Sequence, residues 1–330
     1  MSSKHLPLRE DGRFINPHAK AIRRSFWDVF LWKMGFYNDP IPKENPPADF
    51  VFPIPMDHSP SKQAAAQFIN HSTYLIQAMG LTFLTDPIWG KRCSPFSFIG
   101  PKRGIEPGIP LESLEKVDVV LISHNHYDHL DKKTVQRLHK LHPSITWFVP
   151  LGIKKWFDYL GIKKVIELSW WEEFSFRVAD IEITCTSTPT QHFSGRSLAD
   201  FNKTLWCGWV VHARQQHEIK RFYFVGDTGY NPYDFKAVGA VFGSMDLTLI
   251  PIGCYSPRVF MAPVHTDPLD AITIHKEVGS KLSLGMHWGT FALADEGPSS
   301  PPYHLFCEMK KQGIDLTTFL APMPGDRVGW

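Results

Sequence analysis

The stretch "SHNHYDHLD", residues 123 to 131, sets three histidines and two aspartates within nine positions. Imidazole and carboxylate are the side chains that bind divalent ions such as Zn²⁺, with iron and manganese also compatible by ligand type. His124 and His126 are two apart, so an extended backbone turns both toward one side. Asp128 and His129 follow in a turn and can face a second ion close by. Further candidates stand just beyond later strand-like runs: His192 after "IEITCTST", Asp227 after "FYFVG" and His287 after "LSLGM". Asp86 ends "LTFLT", where it reads equally as a turn former before Pro87 or as an acceptor that orients a ligand imidazole. Seven donors at four strand ends are too many for one tetrahedral ion and suit two.

Such a constellation needs elements that deliver their carboxyl ends to one edge, as layered α/β sheets do. "KVDVVLIS" reads as a buried strand from its continuous β-branched run, and "STYLIQAM" with "LTFLTDP" as a hairpin around Gly80. "KKTVQRLHKL" puts Val135, Leu138 and Leu141 at helical spacing. "TDPLDAITIHKEVG" offers Thr266 or Asp267 as N-cap, an apolar face of Ala271, Ile274 and Val278, and Gly279 as a stop. Upstream, residues 19 to 37 form an amphipathic helix that shows Ile22, Phe26, Trp27, Val29, Phe30, Leu31 and Met34, with Lys20, Arg23, Arg24 and Lys33 at the margins. It reads either as an interfacial membrane helix or as a helix docked on its own domain. A proline-rich linker, 38 to 60, follows. The expected division is an N-terminal segment with linker over 1–60 and a catalytic domain over 61–330.

Composition narrows the function classes. A hydrophobic fraction of 43% supports a substantial core, and a net charge of +2 without a basic stripe argues against nucleic acid as partner. Five scattered cysteines without a C-x-x-C give neither a disulfide framework nor a thiolate metal site, which fits a reducing, intracellular setting. No run is apolar enough to span a bilayer, and charges interrupt the N-terminus early, unlike a secretory signal. The remaining expectation is a cytoplasmic or peripheral membrane protein. His5, His58, His139, His142 and His304 lack motif support and are expected in solvent.

The complete H-x-H-x-D-H motif with its downstream donors resembles the metallo-β-lactamase superfamily. "FLTDPIW", "GPKR", "WFVPLG", "VIELSWWEE", "TPTQH", "GDTGY", "IPIGCYSPR" and "MHWGTFALADE", in this order, are similar to the N-acyl-phosphatidylethanolamine-hydrolysing phospholipase D family within it. The likeness runs from "RFINP" (13 to 17) to about residue 320 and departs in the N-terminal segment, the linker and around Val264.

The resemblance implies an α/β, four-layer αβ/βα sandwich holding two Zn²⁺ per chain. His124, His126 and His192 would bind one ion, Asp128, His129 and His287 the other, and Asp227 would bridge them. It further implies a zinc-dependent phosphodiesterase of the phospholipase D type, in which hydroxide shared by the ions attacks phosphorus in line. The products would be N-acylethanolamine and phosphatidic acid. Asp128 and His265 would be catalytic, and Tyr127, Arg196 and His265 would touch substrate. The implied partners are a phospholipid, a membrane surface and a second copy of the chain in a homodimer. A lactone, thioester or soluble phosphodiester hydrolase with the same ligands is the alternative.

Overall fold

Period-2 burial along the strands divides the apolar residues between a central and an outer layer. The computed structural model describes residues 9–19, 26–37, 46–47, 49–54, 64–197 and 199–330. It opens with a short ribbon, β1 (Arg9–Glu10) and β2 (Arg13–Phe14), and helix α1 (Phe26–Lys33). One seven-stranded sheet contains β3 (Ala64–Asn70), β4 (Thr73–Ala78), β5 (Leu81–Thr85), β6 (Val119–Leu121), β7 (Thr146–Pro150) and β8 (Val165–Leu168). The last strand of the chain, β16 (Arg327–Gly329), pairs with β3 at its edge. The second seven-stranded sheet contains β9 (Glu173–Val178), β10 (Ile181–Thr188), β11 (Gly208–Gln215), β12 (Glu218–Phe224), β13 (Met245–Pro251), β14 (Ser280–Met286) and β15 (Phe319–Leu320).

The sheets pack face to face. Phe83 meets Phe222 at 5.1 Å between ring centroids, and Phe148 meets Trp209 at 5.8 Å. Val119 and Leu121 of β6 point into this shared core, whereas Val120 and Ile122 point outward. That outer face packs with Trp147 and Val149 against α2 (Lys132–Leu141) and α3 (Lys154–Tyr159) through Val135, Leu138 and Phe157. Outside the second sheet lie α4 (Asp234–Phe242), α6 (Pro268–Glu277) and α7 (Ser300–Lys311), with short α5 (Arg258–Met261) leading into α6. The molecule is therefore the expected four-layer αβ/βα sandwich.

Local signals explain several elements. The β4–β5 hairpin turns at Gly80, whose φ of +77° favours glycine. Asp267 caps α6 by accepting the Asp270 N–H, while the Thr266 hydroxyl donates to the Pro251 carbonyl instead. In α2, Val135 and Leu138 are buried but Leu141, in the last turn, is exposed.

Phe14 and Phe52, both from the segment before residue 60, are buried in the central core. Phe14 also exchanges hydrogen bonds with Asn202 through its N–H and its carbonyl. The helix expected over 19–37 is observed as α1, while Lys20, Ile22, Arg23 and Arg24 fall outside the described residues, as do His5, His58 and much of the linker. Trp32 docks α1 on the body, its ring 4.9 Å from Phe260 and its Nε1 donating to Asp295 Oδ2. Trp27, Phe30, Leu31, Met34 and Phe36 remain exposed. Among the described residues no helix is long and apolar enough to cross a membrane.

Candidate metal centre

Strands β5, β6, β10, β12 and β14 end at one edge, between the two sheets, and the residue that follows each is a candidate ligand or leads to one. β6 runs into Ser123, His124 and the motif loop, and β10 into His192. β12 runs through Gly226 to Asp227, and β14 ends directly before His287. Two glycines let the backbones close here. A Cβ on Gly226 would lie 2.8 Å from the Ser123 Cβ, and one on Gly253 would lie 2.2 Å from the His287 carbonyl oxygen. His71, Asp86, Cys254 and His287 all have φ between +29° and +67°, an unusual concentration of left-handed non-glycine backbone at one site.

The donor atoms converge as ligands do. On one side, His126 Nδ1 lies 2.8 Å from His124 Nε2 and 3.3 Å from His192 Nε2. On the other, Asp227 Oδ2 lies 3.0 Å from His287 Nε2 and 3.2 Å from His129 Nε2. Asp128 Oδ2 lies 3.3 Å from His129 Nε2 and 3.5 Å from His287 Nε2. The same Asp227 oxygen stands 3.8 Å from His192 Nε2, so it touches both groups. Zinc–nitrogen bonds of about 2.0–2.1 Å in a tetrahedron set neighbouring ligand atoms about 3.3–3.4 Å apart, which these separations approach.

Hydrogen bonds outside the cluster fix which nitrogen faces inward. His192 Nδ1 donates to the Val264 carbonyl at 2.9 Å, leaving the Nε2 lone pair toward His126. His129 Nδ1 donates to Asp86 Oδ2 at 2.6 Å. His124 Nδ1 donates to Ser123 Oγ, which itself donates to Asp86. Asp86, fully buried, also accepts the Ser123 N–H at 2.7 Å. Asp86 thus accepts from the imidazole of a candidate ligand, and its left-handed φ also shapes the turn.

Burial is the first cause that lowers His124, His126 and His192, the latter two to about 4 and about 3, so these rings are neutral and their lone pairs are available to an ion. His71 is likewise lowered to about 3 by burial. Burial also opposes charge on His129 and His287, but Asp227 and Asp128 outweigh it, raising His129 well above its ordinary value and His287 to about 9. Asp128 and Asp227 are held well below the carboxylate range, burial being outweighed by His129 and the other imidazoles around them. Buried carboxylates facing imidazoles need positive charge that only bound protons or a cation can supply. His287 Nδ1 and Asp227 Oδ1 are buried without hydrogen-bond partners. Unpartnered donors of this kind suit metal ions and fit poorly with a purely structural polar core.

The expected substrate residues fall in different places. His265 sits at the centre, its Nδ1 3.9 Å from Asp227 Oδ2 and its ring 5.2 Å from both His192 and His287. Burial holds it neutral, well below the ordinary histidine range. Tyr127 and Arg196 lie on the outer side of the motif loop, in a groove with Trp89, Phe96, Phe98 and Trp156. Arg196 stacks on Tyr127 at 3.9 Å, and its Nη1 donates to the carbonyls of Asn125 and Leu130. The arginine therefore clamps the motif loop, with one arm of its guanidinium, expected to touch substrate, committed to backbone. His304 meets the Tyr255 hydroxyl at 2.7 Å, and His139 and His142 are half-buried, so none of these three is simply solvated.

Three site residues were not anticipated. His71, in the β3–β4 turn, places Nε2 2.9 Å from Asp128 Oδ2. Cys254 brings its thiol within 4.8 Å of ligand atoms of His265 and His287. Asn16 braces the His192 backbone, accepting its N–H at 3.1 Å and donating to its carbonyl at 2.8 Å. "RFINP" already marked the region of Asn16 and "IPIGCYSPR" that of Cys254, while His71 lies in the turn just before the "STYLIQAM" strand.

Residues 82–288 match the model of the β-lactamase superfamily domain. The chain belongs to the metallo-β-lactamase superfamily. It is a homologue of the N-acyl-phosphatidylethanolamine-hydrolysing phospholipases D. It is 44% identical to phospholipase D 1 of that name from Caenorhabditis elegans, over 69% of this chain and 64% of the relative. The mitochondrial enzyme of the same name from Saccharomyces cerevisiae is 36% identical, over 70% of this chain and 47% of the relative. The chain thus spans between about half and two thirds of these relatives. An isothiocyanate hydrolase from Delia radicum gut bacteria shares the fold, with a TM-score of 0.61 at 20% identity over 81% of this chain and 99% of that one.

Proposed function

We propose that this chain is a binuclear zinc phosphodiesterase of the phospholipase D type that hydrolyses N-acyl-phosphatidylethanolamine to N-acylethanolamine and phosphatidic acid. The observation that carries the reading is Asp227 Oδ2 lying between two converging donor sets. The names of the two homologues supply the substrate class. His124, His126 and His192 would hold one ion, Asp128, His129 and His287 the other, with Asp227 shared. Metal ions so held supply a nucleophile from water at neutral pH and polarise phosphoryl oxygens. The protein directs the lone pairs of His124, His129 and His192 through Ser123, Asp86 and the Val264 carbonyl, so these three rings need not reorient during reaction. His265, buried and neutral between the two sets, is placed to hydrogen-bond a phosphoryl oxygen or pass a proton to the departing alcohol.

A bilayer substrate calls for a surface that meets lipid, and two apolar patches fit that need. One is the exposed face of α1, and the other is the loop carrying Phe96, Phe98 and Ile99 with Lys91 and Lys102 beside it. Both adjoin the segment after His287: Arg103 bridges to Phe291, and Trp32 bonds Asp295.

The test is hydrolysis of N-acyl-phosphatidylethanolamine vesicles beside a lactone, a thioester and bis-nitrophenyl phosphate. The expected result is release of N-acylethanolamine at a kcat/KM well above the others; preferential cleavage of lactone or thioester would replace this reading. Serine at Trp27, Phe30, Phe96 and Phe98 should weaken vesicle binding by about tenfold or more while sparing turnover of a short-chain, dispersed substrate. Unchanged binding would remove these patches from the account.

A further inference from the structure

His71 belongs to none of the motifs that mark the metal centre, yet it meets all three members of the second donor set, Asp128, His129 and His287. Its residue follows β3 directly, at the same sheet edge as Asp86 and His124. The side chain is buried, with Nε2 2.9 Å from Asp128 Oδ2 and the ring 4.1 Å from that of His287 between centroids. A carboxylate only accepts hydrogen bonds, so the nitrogen facing Asp128 carries the proton and donates it. The backbone of the same residue accepts the His287 N–H at 2.7 Å and donates its own N–H to Thr290 Oγ1 at 2.8 Å. The left-handed φ of +47° lets one turn residue present ring and carbonyl to two ligands from different strands. By contrast, His124, His126 and His192 have no contact with it among the hydrogen bonds and ring pairs of the described residues.

We infer that His71 is the positioning residue of the Asp128–His129–His287 metal position: its Nε2–H holds the Asp128 carboxylate in place while its carbonyl fixes His287. This inference rests on the binuclear reading above and is independent of the substrate. Outer hydrogen-bond partners of metal ligands typically contribute about ten- to a hundredfold in metal affinity. The effect should be confined to one of the two ions.

The experiment is titration of metal-free full-length protein with Co²⁺, followed by its visible absorption and by chelator competition, for the parent, His71→Ala, His71→Gln and His71→Asn. Glutamine sets its amide nitrogen near the histidine Nε2 position, whereas asparagine reaches only about as far as Nδ1. The expected result is about ten- to a hundredfold weaker binding of one ion in His71→Ala and His71→Asn, parent-like binding of the other ion, and recovery to within about threefold in His71→Gln. If His71→Ala does not fold, the glutamine and asparagine variants still decide the matter by their contrast. Two ions bound at parent affinity by the alanine or asparagine variant would overturn the inference. So would equal weakening of both ions, or a folded glutamine variant as weak as asparagine, which would make the imidazole itself a ligand. A parent that takes up only one ion would instead overturn the binuclear reading on which the inference stands.

Discussion

The His124–His126–His192 group and the Asp128–His129–His287 group meet at Asp227, but they are held in different ways. In the first, the outward ring nitrogens of His124 and His192 rest on neutral acceptors, a serine hydroxyl and a backbone carbonyl. Its imidazoles are pushed by burial to low pKa, about 4 for His126 and about 3 for His192. In the second, His129 leans on the buried carboxylate of Asp86, and Asp128 lies against both His129 and His287. There the carboxylates raise His129, and His287 to about 9, against the effect of burial. The contrast shows how one sheet edge builds two unlike sites: a neutral pocket with its lone pairs already directed, and an anionic one that collects positive charge.

The sharpest way to break this comparison is at the residue both groups share. Asp227→Asn should reduce occupancy of both positions and lower kcat/KM by at least about a hundredfold, read by metal analysis beside steady-state kinetics. Loss of only one ion would mean that Asp227 belongs to one group and does not bridge. Next in size is Asp86→Ala, which frees His129 directly and His124 only through Ser123. It should weaken one ion by about ten- to a hundredfold and the other by distinctly less. Equal losses would show that the two groups are not separately held.

The smallest effect is the most specific to the electrostatic difference. A group with raised pKa is protonated at neutral pH in the metal-free protein, so an ion entering there must displace protons; a group with lowered pKa has none to lose. Uptake at the His129 and His287 side should therefore release protons at pH 7, and its affinity should climb as pH rises toward about 9, the value for His287. Binding at His126 and His192 should be nearly independent of pH above about 5, since those rings are neutral there. Calorimetric titration in two buffers of different ionisation enthalpy separates the two; proton release shared equally between the ions would erase the distinction.

The sequence exposed much of this because the ligands follow strands of clear pattern. The β-branched run before His124 and the strand before His287 made the sheet edge legible, and the resemblance named the sandwich. Asp86 remained ambiguous, since a residue before proline reads as a turn whether or not it accepts from His129. His71 was missed although the β4–β5 hairpin at Gly80 already implied it: if that hairpin closes at the far edge, the preceding turn must lie at the site edge. Arg196 was read only as a substrate contact, because its carbonyl partners Asn125 and Leu130 are set by tertiary packing that the sequence does not display. The segment before residue 60 illustrates a related limit of pattern. Proline-rich composition signals an irregular backbone, and it carries no information that Phe14 and Phe52 return to the core.

The measurement that bears most directly on the central claim is the metal content of the purified parent protein, by elemental analysis after removal of loosely bound ions. The account predicts two ions per chain, zinc among them, with hydrolysis lost on chelation and restored as both positions refill. Full activity in protein that holds a single ion, or none, would contradict it.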